Sequence, residues 1–474
     1  MNRYPLIEEV ATPLAAAQAF ERFKERPFSF FLDSGMDPGK LGRYSFIGSD
    51  PFFVLRSRGR RVDLLYGDKQ ETVTGNPFDV AGELLERYSV APCSCPIPYI
   101  GGAVGYFSYD LCHFIERLPS TAIDDLKLPE CYLAFYDAVL AFDHLEEKAY
   151  VASTGFPEME EGKRLRRAKE RIDGLRDMIA ETPCYEIAPS SKKVVLRSNF
   201  TREQYIKAVA AAREYICAGD IFQVNLSQRF EADLPIPPYE LYRRLRRINP
   251  APFASYLNFD GVAVVSASPE RFLKVEGDLV QTRPIKGTRR RGATVAEDEA
   301  KAKELLSSVK DRAENVMIVD LERNDLGRVC RYGTVRVTEL CLLETYATVF
   351  HLTSTVEGRL RPGKNRIDLL KATFPGGSIT GAPKVRAMEI IDELEPTKRS
   401  IYTGSIGYLS FNGDMDINIV IRTFIIKDGR AYFQVGGGIV YDSDPEAEYI
   451  ETLDKGKALV GALQLSPQLA VEGR

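Results

Sequence analysis

Lys286 stands in Pro284-Ile285-Lys286-Gly287-Thr288, where the sequence predicts a short turn between the apolar stretch 272–280 and a charged helix. An amine presented by a glycine-containing turn becomes a nucleophile or a base when its surroundings lower its pKa. Most lysines are solvated surface charges, so this one gains meaning only from its company. Two other stretches carry acidic residues three apart: Asp311 with Glu314, and Glu448 with Glu451 in a run that Asp444 and Pro445 open. That spacing places each pair on one helical face. Surface helices often carry such pairs. If these two helices converge, their carboxylates make an all-oxygen donor set, and Mg²⁺ is the natural cation where no His or Cys is near.

Arg422 is expected in the middle of an apolar strand, 417–424. A buried guanidinium needs an anionic partner, either a structural ion pair or the carboxylate of a ligand. His351, in Phe350-His351-Leu352-Thr353, reads on local evidence as a satisfied core histidine and is carried as a candidate catalytic residue. The segment from Phe374 to Lys384 looks like an anion-binding loop but lacks the Gly-Lys-Ser/Thr ending of a P-loop, so nucleotide binding is not supported. Gly436-Gly437-Gly438 either lets backbone amides approach a substrate carboxylate or forms a bulge.

At 474 residues the chain exceeds one ordinary core. Its apolar content of 44% and charged content of 27% are those of a globular protein. With 63 Lys plus Arg against 67 Asp plus Glu, the balance disfavours nucleic acid or an anionic membrane as the main partner. The first ten residues have no signal-peptide pattern, and no stretch reaches the roughly 20 apolar residues of a spanning helix, so a cytoplasmic location is expected. The eight cysteines and three histidines show no metal-site spacing.

The first part alternates aromatic and β-branched runs with Gly and Pro turns, at 28–32, 44–47, 52–56, 103–109 and 131–142, after a helix at 14–24. A charged helical run at 160–182 and the proline- and serine-containing segment after it place a boundary near residue 190. Two domains are expected: 1–190, mostly β, and 191–474, a catalytic domain. Beyond the boundary, Thr201 and Gln204 form a capping box, and Lys427-Asp428-Gly429-Arg430 signals a hairpin. The fold class expected is α+β, with large antiparallel sheets packed against flanking helices.

Together, Ser268-Pro269-Glu270-Arg271-Phe272, the 284–288 segment, Asp320-Leu321-Glu322-Arg323-Asn324-Asp325-Leu326, the 377–384 loop and the 436–451 segment resemble the chorismate-utilising enzymes. The resemblance runs from about residue 200 to 463, and it is strongest to the aminodeoxychorismate synthase component I group. It implies the following roles. Mg²⁺ is held by Glu314 and Glu451, with Asp311 and Glu448 nearby. The enolpyruvyl carboxylate of chorismate is clamped by Arg422 and Tyr402, helped by Lys455, Gly287, Thr288 and Gly436 to Gly438. Lys286 attacks ring carbon C2 while Glu270 protonates the departing C4 hydroxyl, and ammonia then adds at C4. Isochorismate and salicylate synthases place lysine where this chain has Gln223, so water addition is disfavoured.

The resemblance also implies a separate glutamine amidotransferase as the ammonia source. A tryptophan pocket is implied at Ser34, Arg43, Tyr44 and the run 249–254, including Pro252, Phe253 and Ala254. Ala251 replaces the serine common in feedback-regulated anthranilate synthases. Anthranilate synthase component I is the alternative activity.

Overall fold

The computed structural model describes residues 3–37, 39–91, 94–180, 194–346 and 349–464. Two antiparallel sheets, each of twelve strands among these residues, form the frame. One runs, in spatial order, from Leu6–Val10 through Lys148–Ser153, Ala138–Asp143, Tyr44–Gly48, Ser29–Asp33, Phe253–Phe259, Val262–Ser268, Thr423–Lys427, Arg430–Ile439 and Gln223–Asp233 to Arg197–Ser198. The other begins with Ile285–Arg290, Val349–Arg359, Leu279–Arg283, Arg271–Glu276 and Met415–Asn418, and ends at Lys69–Thr74. The expected fold class is therefore observed.

Alternation along the strands builds two cores at once. Phe30, Phe46, Val139 and Ala141 fall in one apolar cluster with residues of the second sheet, such as Leu55, Val104 and Leu409. Their neighbours Phe31, Ile47, Leu140 and Phe142 fall in another, with Ile172, Leu241 and Leu459 of three helices. A strand sends successive side chains to opposite faces, so the strands that carry these residues serve both layers. Among the described residues no helix is long and apolar enough to cross a membrane.

Several expectations are redrawn. The helix at 14–24 is only Ala16–Phe20. The run 131–142 is two strands, Cys131–Tyr136 and Ala138–Asp143, which belong to different sheets. They break at buried Asp137, which Arg167 and Arg171 neutralise at 2.9 and 3.2 Å. Residue 190 lies outside the described residues. Strands from both sides of it are hydrogen-bonded into both sheets, so the first and second parts of the chain are not separate layers. The Thr201–Gln204 capping box and the Lys427–Arg430 hairpin are present as expected.

Candidate active site

Lys286 is not on a turn. It lies in the strand Ile285–Arg290, opposite Leu352, and the register slips between Lys286 and Thr288. Gly287 takes up the slip with φ of +80°, a conformation that costs a side-chain-bearing residue about 1–3 kcal/mol. A Cβ there would also press on Asp311 and Leu305, each at 3.0 Å. Burial drives the Lys286 amine below its ordinary pKa, against the pull of the Glu314 and Glu270 carboxylates.

Glu270 is 4% exposed. Burial pushes its carboxyl up to about 7, while the Ser378 hydroxyl, Lys286 and the Ile285 N–H at 3.4 Å act in the opposite sense. A carboxyl that keeps its proton up to about pH 7 and an amine of weakened basicity thus share one enclosure. That is the pairing a leaving-group acid and a nucleophile require.

Arg422 is not inside a strand. The expected strand divides into Met415–Asn418 of one sheet and Thr423–Lys427 of the other, and Arg422 sits on the crossover with φ of +50°. Glu270 occupies the matching crossover, between Val262–Ser268 and Arg271–Glu276. The two crossovers are tied by backbone bonds. Ala267 N–H donates to the Arg422 carbonyl at 3.1 Å, and Ile419 N–H to the Glu270 carbonyl at 3.0 Å. Among the described residues the Arg422 guanidinium has no ion pair or hydrogen bond. Burial lowers its pKa, and Tyr346 and Glu270 offset this in part. A cation left without a protein anion is suited to a carboxylate ligand.

Tyr402 lies on a turn bound to the same crossover: Thr403 N–H donates to Val420 at 2.8 Å, and Val420 N–H to Gly404 at 2.9 Å. His351 shares a 2.9 Å hydrogen bond through Nδ1 with Thr288 Oγ1, and its buried Nε2 has no partner. Burial, with the charge of Arg422, brings it down to about 3. His351 is therefore neutral at physiological pH, with Nε2 buried and without a protein partner among the described residues.

The acidic pairs sit on the helices Val309–Gly327 and Pro445–Leu463, as their spacing implied. Burial raises the Glu314 and Glu448 carboxyls, and in each case the negative charge of Glu451 adds to the effect. Burial acts on Glu451 in the same sense, but Lys455 at 2.7 Å holds it below the usual range. Glu448 Oε1 accepts from Ser443 at 2.6 Å, and Oε2 is buried with no partner. Asp311 stands apart from this set, paired with Arg289 at 2.9 Å. Among the described residues no three His, Cys, Asp or Glu side chains share one coordination sphere. The donor chemistry nevertheless fits a hard divalent cation: oxygen only, mutually repelling, with one orphaned buried oxygen.

Gly436, Gly437 and Gly438 lie within the strand Arg430–Ile439, opposite Ser227, Leu226 and Asn225. A Cβ on Gly438 would fall 2.2 Å from Gln223 Nε2, so glycine is what admits Gln223, whose amide donates to Glu314 at 3.3 Å. Lys455 also donates to the Gly436 carbonyl, at 2.9 Å. Lys384, in the loop read as anion-binding, is committed to Asp325 and to the Thr373 carbonyl. That loop instead contributes Ser378 to the enclosure around Glu270.

The family model described as chorismate binding enzyme matches residues 50–461. The chain belongs to this family. As a chorismate-binding enzyme it is 43% identical over 465 residues to anthranilate synthase component 1 of Acetivibrio thermocellus, covering 96% of this chain and 93% of that one. It is 40% identical over 456 residues to aminodeoxychorismate synthase component 1 of Bacillus subtilis strain 168, covering 95% of each. The crystal structure of anthranilate synthase component I from Streptococcus pneumoniae TIGR4 superposes with a TM-score of 0.76 at 35% identity, covering 88% of this chain and 91% of that one.

Away from this site, Ser34, Arg43, Tyr44, Pro252, Phe253 and Ala254 of the expected tryptophan pocket line one cavity of about 350 Å³, while Asn249, Pro250 and Ala251 of the same run do not line it. Three of the lining residues are already engaged, Tyr44 through its hydroxyl, which donates to the Pro96 carbonyl at 3.3 Å. Arg43 forks onto Asp143 at 3.0 and 2.7 Å, and the Ser34 hydroxyl donates to the Tyr44 carbonyl at 2.7 Å. Arg271, next in sequence to Glu270, also lines this cavity. Sequence reasoning missed Ser378 and Tyr346. The available signal for the second was an aromatic residue five positions before His351, on the chain that folds back to meet it.

Proposed function

We propose that this chorismate-binding enzyme is an aminodeoxychorismate synthase component I, converting chorismate and ammonia to 4-amino-4-deoxychorismate and water. The observation that supports this reading is the acid–amine pair: Glu270 with its carboxyl pushed up to about 7, and Lys286 with its basicity weakened by burial. Arg422 and Tyr402 bind the enolpyruvyl carboxylate, with Lys455 and the backbone of Gly287, Thr288 and Gly436 to Gly438 beside it. His351 offers a neutral ring nitrogen.

The Lys286 amine attacks C2 of the ring, and the C4–O bond breaks as Glu270 delivers its proton to the hydroxyl, which leaves as water. Ammonia adds at C4 and the lysine amine departs from C2. Glu314 and Glu451 would hold Mg²⁺, with Glu448 completing the set. When bound, the cation would supply positive charge to the ring carboxylate. Asp311 enters that set only by giving up Arg289. The ammonia would come from a separate glutamine amidotransferase, and the 350 Å³ cavity is the place for tryptophan.

Anthranilate synthase component I is the second reading, because a relative of that name is 43% identical. Incubation with chorismate, Mg²⁺ and ammonium, with and without aminodeoxychorismate lyase, separates the two. Para-aminobenzoate formed only with the lyase supports the proposal. Anthranilate and pyruvate formed without it overturn the proposal and leave the site geometry to serve the other synthase.

A further inference from the structure

The helix Val309–Gly327 meets the sheet partly through polar side chains. Asp311, Asn315, Ile318 and Glu322 follow one another at intervals of four, three and four, which is a single helical face. Asp311 lies over Gly287, where an added Cβ would be 3.0 Å from it. Asn315 and Glu322 are 0% and 6% exposed, and Glu322 accepts from Thr282 Oγ1 at 3.1 Å. Apolar side chains would hold a helix on a sheet with less desolvation cost. Buried hydrogen bonds also fix its position along the strands.

Asn315 makes the link nearest the reacting groups. Its Nδ2 donates to the Leu352 carbonyl at 3.3 Å, and Leu352 stands opposite Lys286, where the register slips. Its Oδ1 accepts from the hydroxyl of Ser354, which is itself fully buried. That hydroxyl accepts the Cys341 N–H at 2.9 Å, so its own proton is directed to Asn315. Cys341 is turned inward with φ of +50°, in the irregular stretch of the strand Arg336–Thr345 between Glu339 and Leu342. From its backbone, Ser354 N–H donates to the Pro284 carbonyl at 3.2 Å. The other half of that peptide unit is the Ile285 N–H, which reaches Glu270 Oε1 at 3.4 Å. One hydrogen-bonded chain therefore runs from Asn315 through Ser354 and the 284–285 peptide to the carboxyl of Glu270. Glu314 precedes its first member, and Lys286 is the next residue along the strand.

We propose that Asn315 and Ser354 are positioning residues that hold Glu314, on the helix, in register with Lys286 and Glu270 on the sheet. The inference rests on the reading of Glu314 as a cation ligand. It adds that the carboxylate, the amine and the acid are aligned by a buried network whose members act only through their neighbours.

The test is the Mg²⁺ affinity of the full chain, measured by titration calorimetry without chorismate. The Mg²⁺ concentration that gives half-maximal activity with chorismate and ammonium is measured alongside, as is thermal stability. The variants are Asn315→Leu, Ser354→Ala, the double substitution, and Ile318→Val as a destabilised control on the same helical face. Each single substitution should weaken Mg²⁺ binding about tenfold and raise the required concentration about tenfold, the low end of the cost of disturbing a ligand's supports. The double substitution should add no more than about twofold, because both changes cut one chain. Ile318→Val should lower thermal stability and leave both Mg²⁺ measurements within about twofold of the wild type. If Asn315→Leu and Ser354→Ala lose stability but match Ile318→Val in Mg²⁺, the network only holds the helix down and the proposal is overturned. Where Asn315→Leu does not fold, Ser354→Ala, which removes one hydroxyl, decides alone. Glu314→Gln separates the two layers of the argument: an unchanged Mg²⁺ affinity there overturns the reading of Glu314 itself, whereas a loss there with none in Asn315→Leu and Ser354→Ala overturns only the positioning.

Discussion

Glu270→Gln changes one atom in an enclosed site and should alter stability and rate in opposite directions. The carboxyl is raised from 4.5 to about 7, chiefly by burial. A group whose pKa is higher folded than unfolded stabilises the fold below the unfolded value, and that stability is lost as pH rises through the folded value. At about 1.36 kcal/mol per pH unit, the wild type should lose at most about 3 kcal/mol between about pH 4.5 and pH 7 that the glutamine variant keeps. The amide can still accept from Ile285 N–H, so little else in the enclosure changes. Paired urea titrations of the two proteins at about pH 4.5 and about pH 8 measure the difference. The variant should be the more stable at the higher pH, with the gap shrinking towards zero at the lower. Its kcat/KM should fall by about 10²–10⁴-fold, the usual worth of a positioned acid. In the wild type, kcat/KM should decline as pH rises through about 7, because the acid form is what acts. A stability difference independent of pH would refute the argument that Glu270 is buried in its protonated form.

The remaining predictions concern the groups around it. Lys286→Ala should abolish product formation, and acid quenching of the wild type during turnover without ammonia should leave a ring-sized mass on the peptide carrying Lys286; full activity in the variant excludes the nucleophile. Gly287→Ala should cost about 1–3 kcal/mol in denaturant titrations and most of the activity, since φ is +80° and the new methyl meets Asp311 and Leu305. Arg422→Met should raise the KM for chorismate by about ten- to a hundredfold, the worth of about 1.5–3 kcal/mol for a hydrogen bond to a charged group. Chelation of divalent cations should remove activity and added Mg²⁺ restore it, with Glu448→Gln raising the Mg²⁺ concentration required; activity that survives chelation would dismiss the carboxylate set as a cation site.

Spacing was a sufficient guide wherever one helix carried the information. Asp311 with Glu314 and Glu448 with Glu451 lie on helices because a three-residue interval has a single geometric meaning there, and Asp444 caps the second helix through Ala447 N–H as a sequence reader expects. Local chemistry likewise placed the hairpin at Asp428-Gly429, where both residues have positive φ. Long-range partners had no such signal. Nothing in the sequence says that Asp311 spends its charge on Arg289, that Lys384 is taken by Asp325, or that Lys40 reaches Glu344. Apolar runs were misread for a related reason. The segments 131–142 and 417–424 look continuous, yet each passes from one sheet to the other, and hydrophobicity is the same on either side of the crossing.

Those crossings explain how the site is held. Inside a strand the backbone groups are spent on neighbours and side chains are confined to the two faces, so a strand interior would bury Arg422 in one core or the other. At a crossover the chain leaves both ladders, and its side chain can enter the space between the sheet ends. Glu270 and Arg422 both stand at such points, on segments that run between the same two sheets in opposite senses. The backbone groups freed there are satisfied across the pair, Ala267 to Arg422 and Glu270 to Ile419, and Ser268 Oγ adds a 2.6 Å bond to the Ile419 carbonyl. The spacing between the two crossovers, from which the acid and the guanidinium project, is thus set by main chain. A leaving-group acid must meet one oxygen while the clamp holds a carboxylate elsewhere on the same small molecule, and a separation fixed by backbone hydrogen bonds meets that requirement before the substrate enters.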